Sequence, residues 1–81
     1  MMFTASWCVP CKNMKPVVVD LCSKHGVELE LVDIEEQVDV AKKYGIRSVP
    51  TVMAFEGKFA KDMISGQLPS SDVTAFIEKH K

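Results

Sequence analysis

The sequence predicts an α/β fold in which strands and helices follow one another in the order βαβαββα. Apolar residues recur at helical spacing over residues 14–25, and an alternating apolar and acidic run follows over residues 27–31. Two further β-rich runs flank a turn signal at residues 56–58, which is typical of a hairpin. We therefore expect a four-stranded mixed sheet flanked by three helices, formed by a single domain over residues 1–81.

The first strand is predicted over residues 1–5, a short apolar run that leads directly into the first helix. That helix is expected to begin near Cys8 and to end at Gly26, since glycine readily adopts the left-handed conformation that closes a helix. Pro16 falls inside the helix and should kink it, because proline has no N–H to give to the preceding turn. The inward stripe of the helix comprises Met14, Val17, Val18, Leu21, Cys22 and His25.

The second strand and second helix complete a βαβ unit. Residues 27–31 are predicted to be a strand with one buried face. Glu35 and Glu36 are expected to begin the helix, where acidic groups suit the helix dipole, and Gly45 is expected to follow its end. The unit requires its two strands to be parallel and joined by a right-handed crossover.

The remainder is predicted to be an antiparallel hairpin and a final helix. The hairpin strands are expected over residues 51–55 and 59–64, and residues 69–72 should open the helix. The inward face of this helix is formed by Val73, Phe76 and Ile77.

Composition narrows the function classes. A net charge of −1 provides no electrostatic basis for binding nucleic acid or an anionic membrane. No apolar run approaches the roughly 18 residues of a membrane span, and the N-terminus lacks a basic segment followed by an apolar stretch. We therefore expect a cytoplasmic protein that binds neither nucleic acid nor membrane.

The two cysteines of Cys8-x2-Cys11 could be a redox pair, half of a metal site or a structural staple. The chain has three cysteines, and an odd number argues against a secreted disulfide framework. In a reducing compartment such a motif is more often catalytic or metal-binding than structural. The staple is the weakest of the three readings.

The position of the motif at a helix N-terminus favours redox chemistry. Unpaired N–H groups there stabilise a thiolate at Cys8, and the i, i+3 spacing brings Cys11 beside it. One cysteine can then attack a substrate disulfide and the other can resolve the mixed disulfide. We expect Cys8 at an exposed first turn and Cys11 in the helix–sheet junction, with Trp7 shielding the pair and contacting a partner.

A zinc site built from Cys8, Cys11, Cys22 and His25 is the alternative that the spacing raises. If the helix is continuous, Cys11 and Cys22 lie about 16 Å apart along its axis, too far for one tetrahedral ion. We expect no metal, and we expect Cys22 to be a buried free thiol.

Several separate motifs resemble the thioredoxin family. Residues 7–12, Trp-Cys-Val-Pro-Cys-Lys, resemble its WCGPCK signature, with Val9 in place of glycine. Pro16 matches the family's helix-kinking proline, and residues 44–51 look like the segment that ends in a cis-proline. Gly66 matches the glycine beside the peptide-binding groove. The resemblance covers essentially the whole chain.

The resemblance implies a role for each matching residue. Cys8 would be the nucleophile and Cys11 the resolving thiol. Pro50 would be cis and would pack against the disulfide, although the residues alone would equally allow a trans bond. Val49 would lend its backbone to an extended substrate segment. The substrate-binding set would comprise Trp7, Val9, Pro10, Val49, Pro50 and Gly66.

The function that the resemblance implies is reduction of protein disulfides without a bound cofactor. The partners would be disulfide-bearing target proteins and a thioredoxin-reductase-type electron donor, and the protein would be a monomer. Two alternatives stay open: a glutaredoxin-like, glutathione-dependent reductase, or a non-catalytic binding subunit with this fold.

The chain also departs from the family. The family's first strand and helix are absent, and we expect this short length to be native. Residues 27–33 would then be a sheet edge, along which Glu28 and Glu30 should face solvent. Met2 stands where thioredoxins usually have a buried aspartate, and Leu31 where they have a lysine. The pocket behind Cys11 should therefore be dry and uncharged.

Overall fold

The computed structural model describes residues 1–80. They form a four-stranded sheet with helices packed on its faces. The observed element order confirms the predicted βαβαββα arrangement. None of the helices in this part of the chain is long and apolar enough to span a membrane. In chain order the elements are β1 (Met2–Thr4), α1 (Val9–Lys24), β2 (Leu31–Asp33), α2 (Val38–Lys43), β3 (Thr51–Glu56), β4 (Phe59–Ser65) and α3 (Ser70–His80).

The strand order is β2-β1-β3-β4, so β1 lies inside the sheet and β2 at one edge. β1 is parallel to β2, with Met2 opposite Leu31, and antiparallel to β3, with Met2 opposite Val52. The parallel pair joined by α1 is the predicted βαβ unit. Because β1 and β2 are parallel, their carboxyl ends, at Thr4 and Asp33, meet at the same edge of the sheet.

The second strand is shorter than predicted and lies later in the chain, at Leu31–Asp33 instead of residues 27–31. It begins at Leu31 rather than at residue 27, because the three residues of β1 offer pairing partners only for Leu31–Asp33. One additional bond reaches back, from the Met2 N–H to the Glu30 carbonyl at 2.8 Å. Glu28 and Glu30 are exposed beside this edge strand, as predicted.

The second helix also begins later than predicted, at Val38 instead of Glu35. The Asp33 carboxylate accepts the backbone N–H of Glu35 at 2.8 Å and that of Glu36 at 3.4 Å. These bonds hold the two glutamates in a turn and compete with a helical first turn. The predicted end of α2 is confirmed, because Gly45 follows it with a φ of 65°.

The first helix begins and ends as predicted. Cys8 is its N-cap, and Gly26, with a φ of 66°, follows its C-cap. The helix continues through Pro16 without ending, and the kink expected there stays a prediction.

The larger core lies between the sheet and helices α1 and α3, and we call it the α1–α3 core. It includes Cys22, which is buried and outside any disulfide, as predicted. The opposite face of the sheet buries Phe3 and Val32. Met2 and Phe3 thus point to opposite faces of β1, as the alternation of a strand requires. The buried members of the α1–α3 core are Met2, Met14, Val18, Cys22, Val52, Val73, Phe76 and Ile77.

The C-terminal end of α3 contacts the β3–β4 hairpin through His80. His80 Nε2 lies 3.0 Å from Asp62 Oδ2 on β4, and its ring packs edge-on against Phe76 at 4.9 Å between centroids. His80 lies in the last turn of α3, and its bond to Asp62 is a contact that sequence reasoning missed.

Candidate active site

The CxxC pair forms a disulfide across the first turn of α1. The Cα atoms of Cys8 and Cys11 are 5.2 Å apart. The β1 strand ends at Thr4, and the bond from the Cys8 N–H to the Ala5 carbonyl, at 3.1 Å, turns the chain into the helix. This local geometry places Cys8 at the N-cap, with extended backbone angles.

The helix start directs a backbone donor at the sulfur of Cys8. The Cys11 N–H donates to the Cys8 Sγ at 3.2 Å, so the sulfur occupies the place of a capping oxygen. Such a donor, together with the positive end of the helix dipole, stabilises a thiolate more than a thiol. The arrangement favours negative charge on Cys8 over negative charge on Cys11.

Exposure does not distinguish the two cysteines. Cys8 is only 4% exposed and Cys11 is fully buried, so the prediction that Cys8 stands at an exposed first turn is wrong for the disulfide form. In this form both cysteines belong to one small cluster with Ala5, against which Ile34 and Val49 pack. The predicted location of Cys11 in the helix–sheet junction agrees with its complete burial.

The surroundings of Cys11 are apolar. Its cluster contains Ala5 and Cys8, with Ile34 and Val49 packed against it, and none of these side chains can accept a proton as a carboxylate would. Met2 is fully buried but belongs to the α1–α3 core rather than to this cluster. The side chains packed around Cys11 are thus uncharged, and the dryness of a pocket behind it stays a prediction. Leu31 is partly exposed at the edge of the sheet.

The loop before β3 closes the other side of the pair. The Val49–Pro50 bond is cis, as the resemblance implied, and Pro50 is fully buried. The Gly66 N–H donates to the Pro50 carbonyl at 2.8 Å, and this bond joins the loop after β4 to the proline. The Thr51 hydroxyl donates to the Ser48 carbonyl at 2.8 Å and fixes the entry into β3.

Two large apolar side chains beside the disulfide face solvent. Trp7 is 64% exposed and Val9 is 62% exposed, and Pro10 between the cysteines is exposed as well. Trp7 directly precedes Cys8 and presents most of its side chain to solvent, and its shielding of the pair stays a prediction. Exposed apolar groups next to a buried disulfide are a ready contact for a partner. Of the predicted site residues, Val49 packs against the cysteine cluster, and the Gly66 N–H bonds to the neighbouring Pro50. Trp7, Val9 and Pro10 adjoin the cysteines in the chain, and the substrate-binding role of the set stays a prediction.

Sequence reasoning missed one contact at the site. The Ser6 hydroxyl lies 2.9 Å from a carboxylate oxygen of Glu35 and donates to it. This bond ties the loop that carries Trp7 to the turn after β2. The two residues are 29 positions apart, and no local spacing pattern links them.

The geometry does not gather the four candidate ligands of the alternative zinc site. Cys8 and Cys11 are joined to each other, and α1 runs unbroken from Val9 to Lys24, so Cys22 lies about 16 Å along the axis from Cys11. Within residues 1–80, no three or more histidine, cysteine or acidic side chains are arranged to hold a metal ion.

Comparison with known proteins identifies the family. The family model described as thioredoxin matches residues 1–79. Thioredoxin 1 of a Nostoc species is 38% identical over 80 residues, which are 96% of this chain and 75% of that protein. A chloroplastic M-type thioredoxin of Zea mays is 36% identical over 80 residues, 96% of this chain and 48% of the relative.

Similar solved structures belong to the same family. The thioredoxin of Fasciola hepatica superposes with a TM-score of 0.91 at 31% identity, covering 99% of this chain and 77% of that one. The Nicotiana alata thioredoxin NaTrxh superposes with a TM-score of 0.90 at 30% identity, covering 99% and 70%. With its CxxC pair in a disulfide at the start of α1, the chain belongs to the thioredoxin family and is a CxxC thiol–disulfide oxidoreductase.

Proposed function

We propose that this protein reduces disulfides of target proteins, with Cys8 as the nucleophile and Cys11 as the resolving thiol. The observation that carries the assignment is the Cys11 N–H, which donates to the Cys8 Sγ at 3.2 Å at the N-cap of α1. A donor aimed at one sulfur favours the thiolate there, and the thiolate is the attacking species.

The reaction has two exchange steps. The Cys8 thiolate attacks one sulfur of a target disulfide, the target S–S bond breaks, and a Cys8–target disulfide forms while the released target thiolate takes up a proton. The Cys11 thiol then loses its proton and attacks the Cys8 sulfur. The second target thiolate leaves, the Cys8–Cys11 bond forms, and two electrons have passed from the dithiol to the target.

The remaining site residues bind the target. Trp7 and Val9 offer exposed apolar contacts beside the disulfide, and Pro10 lies between the cysteines. Val49 packs against the CxxC cluster, where its backbone can pair with an extended target segment. Gly66 contacts Pro50 through its N–H, which supports a groove at these two loops.

The protein acts in the cytoplasm as a monomer, as a single domain over residues 1–81, and needs no bound cofactor. Its electrons come from a thioredoxin-reductase-type donor. A relative named as chloroplastic is among the matches, so the proposed cytoplasmic location rests on the sequence alone.

Insulin reduction tests the proposal. With dithiothreitol as the electron source, the protein and its Cys22→Ser variant should both accelerate precipitation of the insulin B chain, since Cys22 lies in the core. In a second arm, NADPH with thioredoxin reductase should sustain the reaction better than glutathione with glutathione reductase. No acceleration over dithiothreitol alone would refute the proposal, and a preference for glutathione would assign the protein to the glutaredoxin-like alternative.

A further inference from the structure

A small cleft lies beside the CxxC pair, and we call it the lysine cleft. Its volume is about 170 Å³. It is smaller than the roughly 300–1,000 Å³ of pockets that enclose whole small molecules, and so suits a single side chain. The lining residues are Thr4, Ala5, Ser6, Lys12, Lys15 and Asp33.

The topology explains where the cleft lies. Thr4 and Asp33 are the last residues of the parallel strands β1 and β2, and α1 begins at the same edge of the sheet. Ligands of α/β sheets commonly bind in the crevice outside the carboxyl ends of the strands. The lysine cleft occupies that place in this fold.

The lysine cleft is continuous with the redox site. Ala5 belongs to the same cluster as Cys8 and Cys11, and Lys12 directly follows Cys11 in α1. A target whose disulfide reacts with Cys8 therefore presents neighbouring side chains to the cleft.

The charge of the cleft favours an anion. Lys12 and Lys15 are exposed, lie one turn apart on α1, and form no ion pair with any residue of the described range 1–80. By contrast, Lys24, Lys61 and Lys79 each pair with a carboxylate. An exposed ammonium beside a cavity, with no partner of its own, is available to a carboxylate from outside.

Two carboxylates of this chain lie nearby, and both already accept hydrogen bonds. Asp33 accepts the backbone N–H groups of Glu35 and Glu36 through Oδ1. Glu35, which is not part of the lining, accepts the Ser6 hydroxyl. The lining itself holds two lysines against one aspartate and so has an excess of one positive charge.

We propose that the lysine cleft binds an aspartate or glutamate side chain of the target, next to the disulfide that Cys8 attacks. The inference rests on the proposed function and gives it a specificity: among target disulfides, those flanked by acidic residues are reduced fastest.

The test uses two synthetic peptides with the same internal disulfide, one with glutamate and one with glutamine on both sides of each cysteine. Fully reduced protein is mixed with each peptide, and the second-order rate constant is followed by acid quench and chromatography. The ratio of the two constants cancels effects of any variant on the Cys8 thiolate itself. At low ionic strength we expect a ratio of about two to five in favour of the glutamate peptide, the range that an exposed ion pair supplies.

Lys15→Glu should bring this ratio below one, and Lys12→Gln should lower it toward one. Lys42→Glu is the matched control, because Lys42 is an exposed lysine on α2 outside the cleft, and it should leave the ratio as in the wild type. High salt should also reduce the wild-type ratio.

Equal rates for the two peptides, or a ratio that Lys15→Glu leaves unchanged, would overturn the assignment of the cleft while leaving the reductase intact. Failure to reduce either peptide would instead refute the proposed function and this inference with it.

Discussion

Resolution of the mixed disulfide by Cys11 is the step whose rate should depend most on the absence of a carboxylate near this thiol. Cys11 is fully buried, and its neighbours Ala5, Ile34 and Val49 are apolar. Such surroundings disfavour a thiolate, and no neighbouring side chain is placed to accept the proton. We therefore expect water or the departing target thiolate to take it, and we expect the rate of resolution to rise steeply with pH.

Met2→Asp is the perturbation that restores a carboxyl group, and Met2→Asn is its control with nearly the same shape and no charge. Met2 is fully buried in the α1–α3 core, so either change removes packing that is worth about 2–5 kcal/mol. A chain of 81 residues is expected to have a free energy of unfolding of about 4–12 kcal/mol. Both variants should therefore be weakened, and the aspartate more so because it buries an ionisable group.

The gain in rate should be modest. A well-positioned general base supplies about 10²–10⁴-fold. Met2 belongs to the α1–α3 core and not to the Cys11 cluster, so we expect its replacement to act on Cys11 through a water molecule rather than directly. We expect resolution by Met2→Asp at pH 7 to be about tenfold faster than by Met2→Asn, well short of that range.

The assay is single-turnover reduction of a disulfide peptide, quenched with acid, in which the mixed disulfide and the released dithiol are separated and counted from pH 5.5 to 8.5. Urea unfolding of each protein confirms that it is folded at the assay temperature. If the aspartate and asparagine variants give the same pH profile for resolution, the argument that this site lacks a base is refuted.

Three further predictions follow from individual side chains. The hydrogen bonds from His80 and from the Met63 N–H lower the pKa of Asp62 from its ordinary 3.8, so this group's stabilisation is present above that value and lost as the pH falls through the lowered one. The free energies of unfolding of wild type and Asp62→Asn, measured in urea, should accordingly differ at pH 7 and converge at a pH below the lowered pKa of Asp62. A difference that stays constant with pH would contradict this. Burial raises the pKa of the Cys22 thiol from 9.0, so its stabilisation is complete below pH 9.0 and lost as the pH rises toward the raised value. Over that alkaline range the free energy of unfolding, measured in urea, should fall less for Cys22→Ala than for wild type. An equal fall in the two proteins would exclude the Cys22 thiol as the cause. In the reduced protein, iodoacetamide near neutral pH should label Cys8 before Cys11 or Cys22, as peptide mass mapping can measure, because the Cys11 N–H stabilises the Cys8 thiolate; equal labelling would remove the basis for naming Cys8 the nucleophile.

Local patterns predicted the elements whose ends are set by local chemistry. The start of α1 at Cys8 and the turns at Gly26 and Gly45 follow from helix capping, and the hairpin follows from its turn at residues 56–58. These features depend on residues close together in the chain, and a sequence displays them directly.

The features that were missed or misplaced depend on distant partners. The strand predicted over residues 27–31 lies instead at Leu31–Asp33, because only these residues find pairing partners on β1. Helix α2 begins later than predicted because the Asp33 carboxylate accepts the backbone N–H groups of Glu35 and Glu36. The bonds from Ser6 to Glu35 and from His80 to Asp62 join residues 29 and 18 positions apart. The cis bond before Pro50 was predicted from family resemblance, since the residues alone allowed either isomer.

The measurement that tests the central claim most directly is the trapping of a mixed disulfide, in a Cys22→Ser background that leaves only the CxxC thiols. Cys11→Ser should accumulate a stable covalent adduct with an insulin chain, joined through Cys8, because no resolving thiol remains. Cys8→Ser should accumulate far less, since its remaining Cys11 thiol lacks a backbone donor of the kind that Cys8 has, and its thiolate is therefore less favoured. Mass spectrometry of the adducts decides the matter: an adduct through Cys8 in the Cys11→Ser protein is the predicted result, and an adduct formed equally well through Cys11 would contradict the assignment of nucleophile and resolving thiol.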